Sequence, residues 1–316
     1  MDIYKELKSI PNPSCEKKCN KEKRESVAEN DICEIAVSVI DGLPLRCVGD
    51  WSYEKISLLV KYFGAFSVAM KGKWTGGINY IEICSGPGRC IDRSKGNEFD
   101  GTSLAIAGHK YFPNLRKAIF FDADNKVIQT LNSRLQYRNI ISAKVLYGDY
   151  YDVKNICNKL SIEIEKSSLN LVFIDPTDCS VPFDLISSLK ATVPNMDLII
   201  NVASMTDFNR NVGNVMLQPD SYKKGKEKYS RFLGTDNFFE DQGNVAFAKS
   251  AKWEELRKRF REMYQSNLKK LGFKYFDIKI IHGYYDILFT SASETGYNLW
   301  KKTSLIGLDG QRKLPL

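Results

Sequence analysis

YIEICSGPGRCIDRSKGNEFDGTSLA, from Tyr80 to Ala105, is the stretch whose reading decides the fold. It opens on Tyr80, Ile81 and Ile83, an apolar run that predicts a buried strand. Ser85-Gly86-Pro87-Gly88 then predicts a turn in which the backbone approaches a ligand where a Cβ would intrude. Glu82 places an acid inside the strand, just ahead of the turn. A strand, an acid and a glycine turn, followed by a helix whose first N–H groups can receive a carboxylate or phosphate, form the layout of a nucleotide-binding first crossover.

The spacing distinguishes two versions of that layout. It fits E/D-x-x-x-G-x-G, the S-adenosylmethionine (SAM) version. It does not fit the dinucleotide pattern G-x-G-x-x-G, because Cys90 and Ile91 stand where the third glycine would fall.

The alternation beyond the turn extends the reading. Short apolar runs at 79–84, 117–123, 143–148, 169–175 and 196–202 predict strands, and 102–111, 125–138, 151–165 and 182–192 predict the helices between them. That order implies a parallel sheet with right-handed crossovers. An amphipathic helix on Trp253, Leu256, Phe260, Met263, Leu268 and Leu271 is followed by two β-rich runs, Phe273–Ile281 and Tyr284–Ala292. The His282-Gly283 pair between them is too short for a parallel crossover, so these runs form a hairpin. Five parallel strands closed by an antiparallel hairpin make the α/β, Rossmann-like, seven-stranded plan of class I methyltransferases; a dehydrogenase would continue with a sixth parallel strand. Ahead of the first strand, a helix from Ser52, its expected cap, to about Trp74 carries Ile56, Leu59, Tyr62, Phe63 and Phe66 at helical spacing, with Trp51 and Lys55 at its start.

Composition sets the frame. The 316 residues, 43% of them hydrophobic, suffice for one large core plus an insertion. No apolar run approaches the ~20 residues of a membrane helix. The N-terminus has no apolar signal core, so a cytoplasmic location is expected, in which cysteines are thiols or metal ligands. A net charge of +8 suits an anionic partner such as nucleic acid, and equally a solvated lysine-rich surface. The division expected is a basic, cysteine-bearing segment over 1–50, a catalytic domain over 51–302 with an insertion at about 204–244, and a tail over 303–316. Within the first segment Cys15, Cys19, Cys33 and Cys47 are candidate zinc ligands; free thiols are the alternative.

Ligands of such sheets sit over the strand C-termini. Glu82, Gly86, Pro87 and Gly88 are expected to hold the amino-acid half of SAM. Asp122, ending the second strand, is placed for the ribose hydroxyls, with Asp124 as its competitor. Asp149, after the third strand, is placed for the adenine amino group or serves as a helix-start acid. The fourth strand ends in Asp175-Pro176-Thr177-Asp178, which keeps the Asp-Pro of the amino-methylating D/N-P-P-aromatic corner and lacks its second proline and aromatic. Asp175 and Pro176, with Arg210 of the insertion, are the candidate catalytic residues. His109 and His282 read as structural. The stretch Ser204–Asn244 is long for a loop and reads as a substrate lid or platform, its Arg210, Lys223, Lys224, Lys226, Lys228 and Arg231 alternating with Phe208, Tyr222, Tyr229 and Phe232 as a phosphate-and-base surface would.

Several of these motifs together resemble the three-Cys-motif partner family, TcmP. They are Trp51-x-x-x-Lys55, Tyr80-Ile-Glu-Ile-Cys-Ser-Gly-Pro-Gly-Arg89, Gly101-Thr-Ser-Leu-Ala105, Phe173-Ile-Asp-Pro176, Phe208-Asn-Arg210, Tyr285-Asp-Ile-Leu-Phe-Thr290 and Leu299-Trp-Lys301. The match spans about residues 41 to 302. The resemblance implies a fold similar to class I SAM-dependent methyltransferases and a separate three-cysteine protein as a partner. Two functions follow as expectations: methyl transfer, with nucleic acid as the acceptor class, or a methyltransferase-fold binding partner without catalysis.

Overall fold

The structure, a computed structural model, describes residues 9–15 and 32–307. The chain divides into two compact units, Met1–Gly148 with Asn298–Leu316, and Asp149–Tyr297.

Among the described residues the first unit holds eight strands: β1 (Ile10–Pro11), β2 (Ile32–Val37), β3 (Pro44–Val48), β4 (Ile78–Ile83), β5 (Arg89–Asp92), β6 (Asn97–Asp100), β7 (Lys117–Asp122) and β8 (Ala143–Tyr147). β4, β7 and β8 are parallel, with β7 in the middle. All six residues of β4 are buried, as a strand covered on both faces requires. The helix Ser52–Met70 packs with this unit through Tyr62, Phe63 and Phe66, all fully buried. Tyr62 meets Trp300 edge-on at 5.5 Å. Its start differs from expectation: Trp51 is the cap position and Ser52 is already helical and buried, so no side chain caps the helix.

The remaining strands build a second sheet in the order β1-β6-β5-β3-β2. The glycine turn therefore runs into a β-hairpin, β5–β6, and the first helix after it begins only at Thr102. The helix starts where expected and its first residues return to the turn; the hairpin between them is what the sequence reading lacked. β3 of the N-terminal segment pairs in parallel with β5, Arg46 opposite Cys90. Under this sheet Cys33, Ala36, Leu45 and Ile91 form a buried apolar cluster, with Cys15, Ile35 and Cys47 packed against it. The zinc expectation is corrected here. Cys19 lies outside the described residues, and among the described residues no group of three or more His, Cys, Asp or Glu is placed to hold a metal. Cys33 is buried in this cluster, Cys15 and Cys47 pack against it, and none of the three is in a disulfide.

The second unit holds β9 (Leu169–Ile174), β10 (Met196–Val202), β11 (Tyr275–Ile281) and β12 (Tyr285–Ser291). β9 and β10 are parallel, while β12 runs antiparallel to both β10 and β11. His282 and Gly283 both take left-handed φ, 47° and 68°, which gives the hairpin turn the twist its strands need. Parallel strands alternating with helices and closed by this hairpin are the α/β, Rossmann-like class I methyltransferase plan.

The insertion is not a loop. A π-turn, Ser204–Phe208, leads into helices Asn209–Leu217, Lys223–Leu233, Asn237–Glu240 and Gln242–Lys249. They close on a core shared with the helix Trp253–Lys270, in which Phe208 stacks on Phe260 at 3.9 Å and Phe232 on Tyr264 at 4.5 Å. Phe208, Tyr229 and Phe232 are fully buried, so they cannot stack on bases as expected from their spacing. Hydrophobic burial took the aromatics that sequence alternation had assigned to a ligand.

Candidate cofactor site

The turn after β4 is built from left-handed residues at alternate positions: Cys84, Gly86 and Gly88 have φ of 66°, 64° and 92°. Glycine supplies this conformation without penalty, but Cys84 carries a Cβ and is strained. The turn is tied down from several sides. Ser85 N–H donates to Phe121 O at 3.0 Å, Gly101 N–H to Gly88 O at 2.7 Å, and Ser103 Oγ to Ser85 O at 3.2 Å. A Cβ on Gly88 would lie 2.9 Å from both Leu104 and Leu131, so the third left-handed position is also a packing requirement.

Asp122, ending β7, reaches the turn itself. Its Oδ2 accepts from Gly86 N–H at 3.0 Å and its Oδ1 from Asp124 N–H at 3.1 Å. Burial raises the pKa of this carboxyl. The two N–H bonds and the nearby Arg46 charge pull it back down, and the net direction is upward. Asp124, its competitor, is the N-cap of helix Asn125–Tyr137, accepting from Lys126 N–H at 2.7 Å. Asp124 thus serves as a helix cap, while Asp122 meets the glycine turn. Glu82 is fully buried, and its carboxylate accepts from Tyr80 Oη at 2.9 Å and from Thr102 Oγ1. It joins β4 to the start of the next helix, a supporting position behind the turn.

Two arginines that sequence reasoning missed as structural pieces fix the surroundings. Arg134, only 2% exposed, donates from Nε and Nη2 to Asp41 at 2.8 and 3.0 Å, and from Nη1 to Pro44 O at 2.9 Å and Pro87 O at 2.7 Å. It clamps the glycine turn to the Asp41–Pro44 loop. Burial pushes the Asp41 carboxyl up, but the Arg134 and Leu43 hydrogen bonds outweigh it and the net shift is downward. Arg89, the arginine of Gly-Pro-Gly-Arg, donates to Glu98 at 2.8 Å and to Asp100 at 2.6 Å. Glu98, fully buried, also accepts from Asn12, Ser38 and Val39. No spacing rule announces the Arg134 clamp, because its partners lie far apart in the chain, while the Arg89 clamp depends on the β5–β6 hairpin that the sequence reading lacked.

The second unit holds the other predicted site residues. Asp149 accepts from Tyr151 N–H at 2.9 Å in a turn, while Asp152 caps the helix Val153–Glu163. At the end of β9, Asp175 Oδ1 and Pro176 O both accept from Asn201 Nδ2, at 2.8 and 3.3 Å. Asp175 and Asn201 are 3% and 2% exposed. This acceptor pair is the one an amino substrate would need, and a side-chain amide already engages it. Arg210 is exposed at the start of its helix. Its neighbour Asp207 is the unexpected centre of the region, accepting from Cys179 N–H, Asn211 Nδ2, Tyr229 Oη and both ways from Lys228 Nζ at 2.8 and 2.7 Å. Lys228 also lies 3.5 Å from Asp178. The carboxylates take this lysine from the row of cations expected to meet phosphate.

No protein-family model matches the chain, and no curated protein matches it. The resemblance to the three-Cys-motif partner family rests on the quoted motifs. Solved structures similar to parts of the chain include a candidate caffeoyl-CoA O-methyltransferase from Staphylococcus aureus, at 10% identity over 72% of this chain and 82% of that one, TM-score 0.35. Another is the bifunctional kinase-methyltransferase WbdD, at 12% identity over 48% of this chain and 28% of that one, TM-score 0.33. A third is an rRNA methylase from Streptococcus thermophilus, at 11% identity over 49% of this chain and 76% of that one, TM-score 0.29. Overlays this loose carry no functional argument, and the site is read from its own residues.

Proposed function

We propose that the chain is a SAM-dependent methyltransferase, with SAM held in the first unit by the Gly86-Pro87-Gly88 turn and Asp122. The observation that carries this reading is the hydrogen bond from the turn's own Gly86 N–H to the acid that ends the neighbouring parallel strand. An ionised carboxylate has about four acceptor positions. Two N–H groups use Asp122 here, which leaves capacity for a vicinal diol. Glu82, bonded to Tyr80 and Thr102, supports the turn. Calorimetry with SAM and S-adenosylhomocysteine tests the reading on the parent and on Asp122→Asn, which keeps the carboxylate's shape. Saturable binding by the parent, weakened at least tenfold in the variant, is expected; a parent that binds neither compound sinks it.

The proposed acceptor class is nucleic acid. What supports it is the net charge of +8 and an exposed set on the second unit. The Arg231 guanidinium lies over the Tyr151 ring at 5.5 Å, Tyr150 and Tyr151 pack at 4.7 Å, and Lys223, Lys224 and Arg210 are exposed. A three-cysteine protein partner belongs to the same reading through the family resemblance. Asp175 and Pro176 act in amino methylation only if Asn201 releases them.

The engagement of that pair by Asn201 favours a second reading, a methyltransferase-fold binding partner without turnover. Incubation with methyl-labelled SAM and cellular nucleic acid separates the two. Label transfer supports the enzyme; SAM binding with no S-adenosylhomocysteine formed supports the binder.

A further inference from the structure

Anion recognition at a glycine turn ordinarily falls to backbone N–H groups and to the helix that follows. Here part of that supply is spent within the chain. Ser85 N–H is given to Phe121 O, Gly86 N–H to Asp122, and Pro87 has none. A strand follows the turn in the chain, and the short helix Thr102–Ala107 returns to it, Gly101 N–H donating to Gly88 O. A side-chain cation beside the turn adds a charged, two-pronged donor for a ligand carboxylate.

Three arginines surround the turn. Arg134 is committed to Asp41 and to the Pro44 and Pro87 carbonyls, and Arg89 to Glu98 and Asp100. Arg46 lies beside Gly86 itself. It projects from β3, and the position a Cβ would take on Gly86 is 3.4 Å from its Nη1 and 3.5 Å from its Cδ. The space left by a missing side chain is bordered by a guanidinium. The same charge reaches Asp122, where it opposes the burial that raises the carboxyl's pKa. One cation thus adjoins both the glycine that admits the ligand and the acid assigned to the ribose. A guanidinium is also the side chain whose fork matches a carboxylate with two parallel hydrogen bonds.

We propose that Arg46 binds the carboxylate of the cofactor's methionine moiety, a role that rests on the SAM reading above. It reaches the ligand from the N-terminal sheet, so residues 44–48 belong to the cofactor site. The role is one of binding and takes no part in methyl transfer.

The experiment compares SAM and S-adenosylhomocysteine with 5′-methylthioadenosine, which shares the adenine, ribose and sulfur but has no amino acid. Affinities are measured by calorimetry on the parent, Arg46→Gln and Arg46→Lys, with circular dichroism confirming that each variant is folded. Losing a charged hydrogen-bonded pair corresponds to about a 10- to 100-fold weakening. Arg46→Gln is expected to show that loss for SAM and S-adenosylhomocysteine while holding 5′-methylthioadenosine within about twofold. Arg46→Lys, a point charge without the fork, is expected to fall between. Equal losses for all three ligands, or no loss for any, overturn the Arg46 assignment while leaving the SAM reading standing. A parent that binds none of the three overturns both.

Discussion

Cys84 is a left-handed residue at a position flanked, two and four residues on, by glycines of the same hand. A Cβ in this conformation costs roughly 1–2 kcal/mol. Cys84→Gly is therefore expected to raise unfolding stability by about 1 kcal/mol, after the glycine's larger unfolded-state entropy is set against the strain. Cys84→Val, adding a β-branch at the same φ, is expected to lower it; urea denaturation of both checks the sign. His109 illustrates a second residue-scale effect. Its Nδ1 accepts from Tyr111 N–H at 3.2 Å and its ring meets Phe63 edge-on at 5.3 Å. Burial, followed by the charge of Lys110, lowers its pKa from 6.5 to about 4. Between those values the unfolded chain takes up a proton that the folded chain refuses, so stability is lost as pH falls from 6.5 toward 4. Parent protein is expected to lose more stability between pH 7 and pH 5 than His109→Gln, measured by urea midpoints at both pH values. Equal losses would show that His109 does not carry this dependence.

At the scale of elements, the glycine turn and the insertion are each held by one cation paired with carboxylates. Arg134 leaves helix Asn125–Tyr137 to reach Asp41, Pro44 and Pro87. Arg134→Met removes the counter-charge of Asp41 and orphans the carbonyls, at a cost of about 3–5 kcal/mol. The turn should loosen with it, so SAM affinity is expected to fall in parallel with the urea midpoint. In the insertion, Lys228 belongs to Asp207 and Asp178. Burial lowers its pKa, the hydrogen bond and charge of Asp207 raise it, and the net direction is upward. Its side chain is 26% exposed and that of Asp207 10%, so screening trims the cost of Lys228→Met to about 1–3 kcal/mol. Lys223 and Lys224 are exposed, and replacing both with Ala is expected to shift stability by less than about 0.5 kcal/mol. The reverse order holds for nucleic acid: binding across a salt series is expected to lose slope in the Lys223/Lys224 variant and to keep it in Lys228→Met. A slope unchanged in the Lys223/Lys224 variant would remove those lysines from the proposed surface.

For the whole molecule, a ligand bound only by the folded chain stabilises it by about 2.7 kcal/mol at a hundred times its dissociation constant. SAM at that excess is expected to raise the thermal midpoint measurably in the parent and much less in Asp122→Asn, by scanning calorimetry. The sequence by itself determined the alternation of strands and helices, the terminal hairpin and the glycine turn, because each is written in local periodicity and in residues restricted in φ. Ile78–Ile83, Lys117–Asp122 and Met196–Val202 fall within a residue of their expected bounds for that reason. Whether a polar or aromatic side chain faces a ligand or another part of the chain is a long-range matter, decided only by tertiary structure. Asp124 became a helix cap, and Asn201 took the acceptors of Asp175 and Pro176. Phe208 and Tyr229 went into a core, because burying an aromatic ring removes more apolar surface from water than exposing it for a ligand retains. Cys15, Cys33 and Cys47 met in an apolar cluster on the same principle. Arg46 and Arg134 reached the glycine turn because tertiary folding brings β3 and the helix Asn125–Tyr137 to it, a proximity that spacing along the chain does not encode.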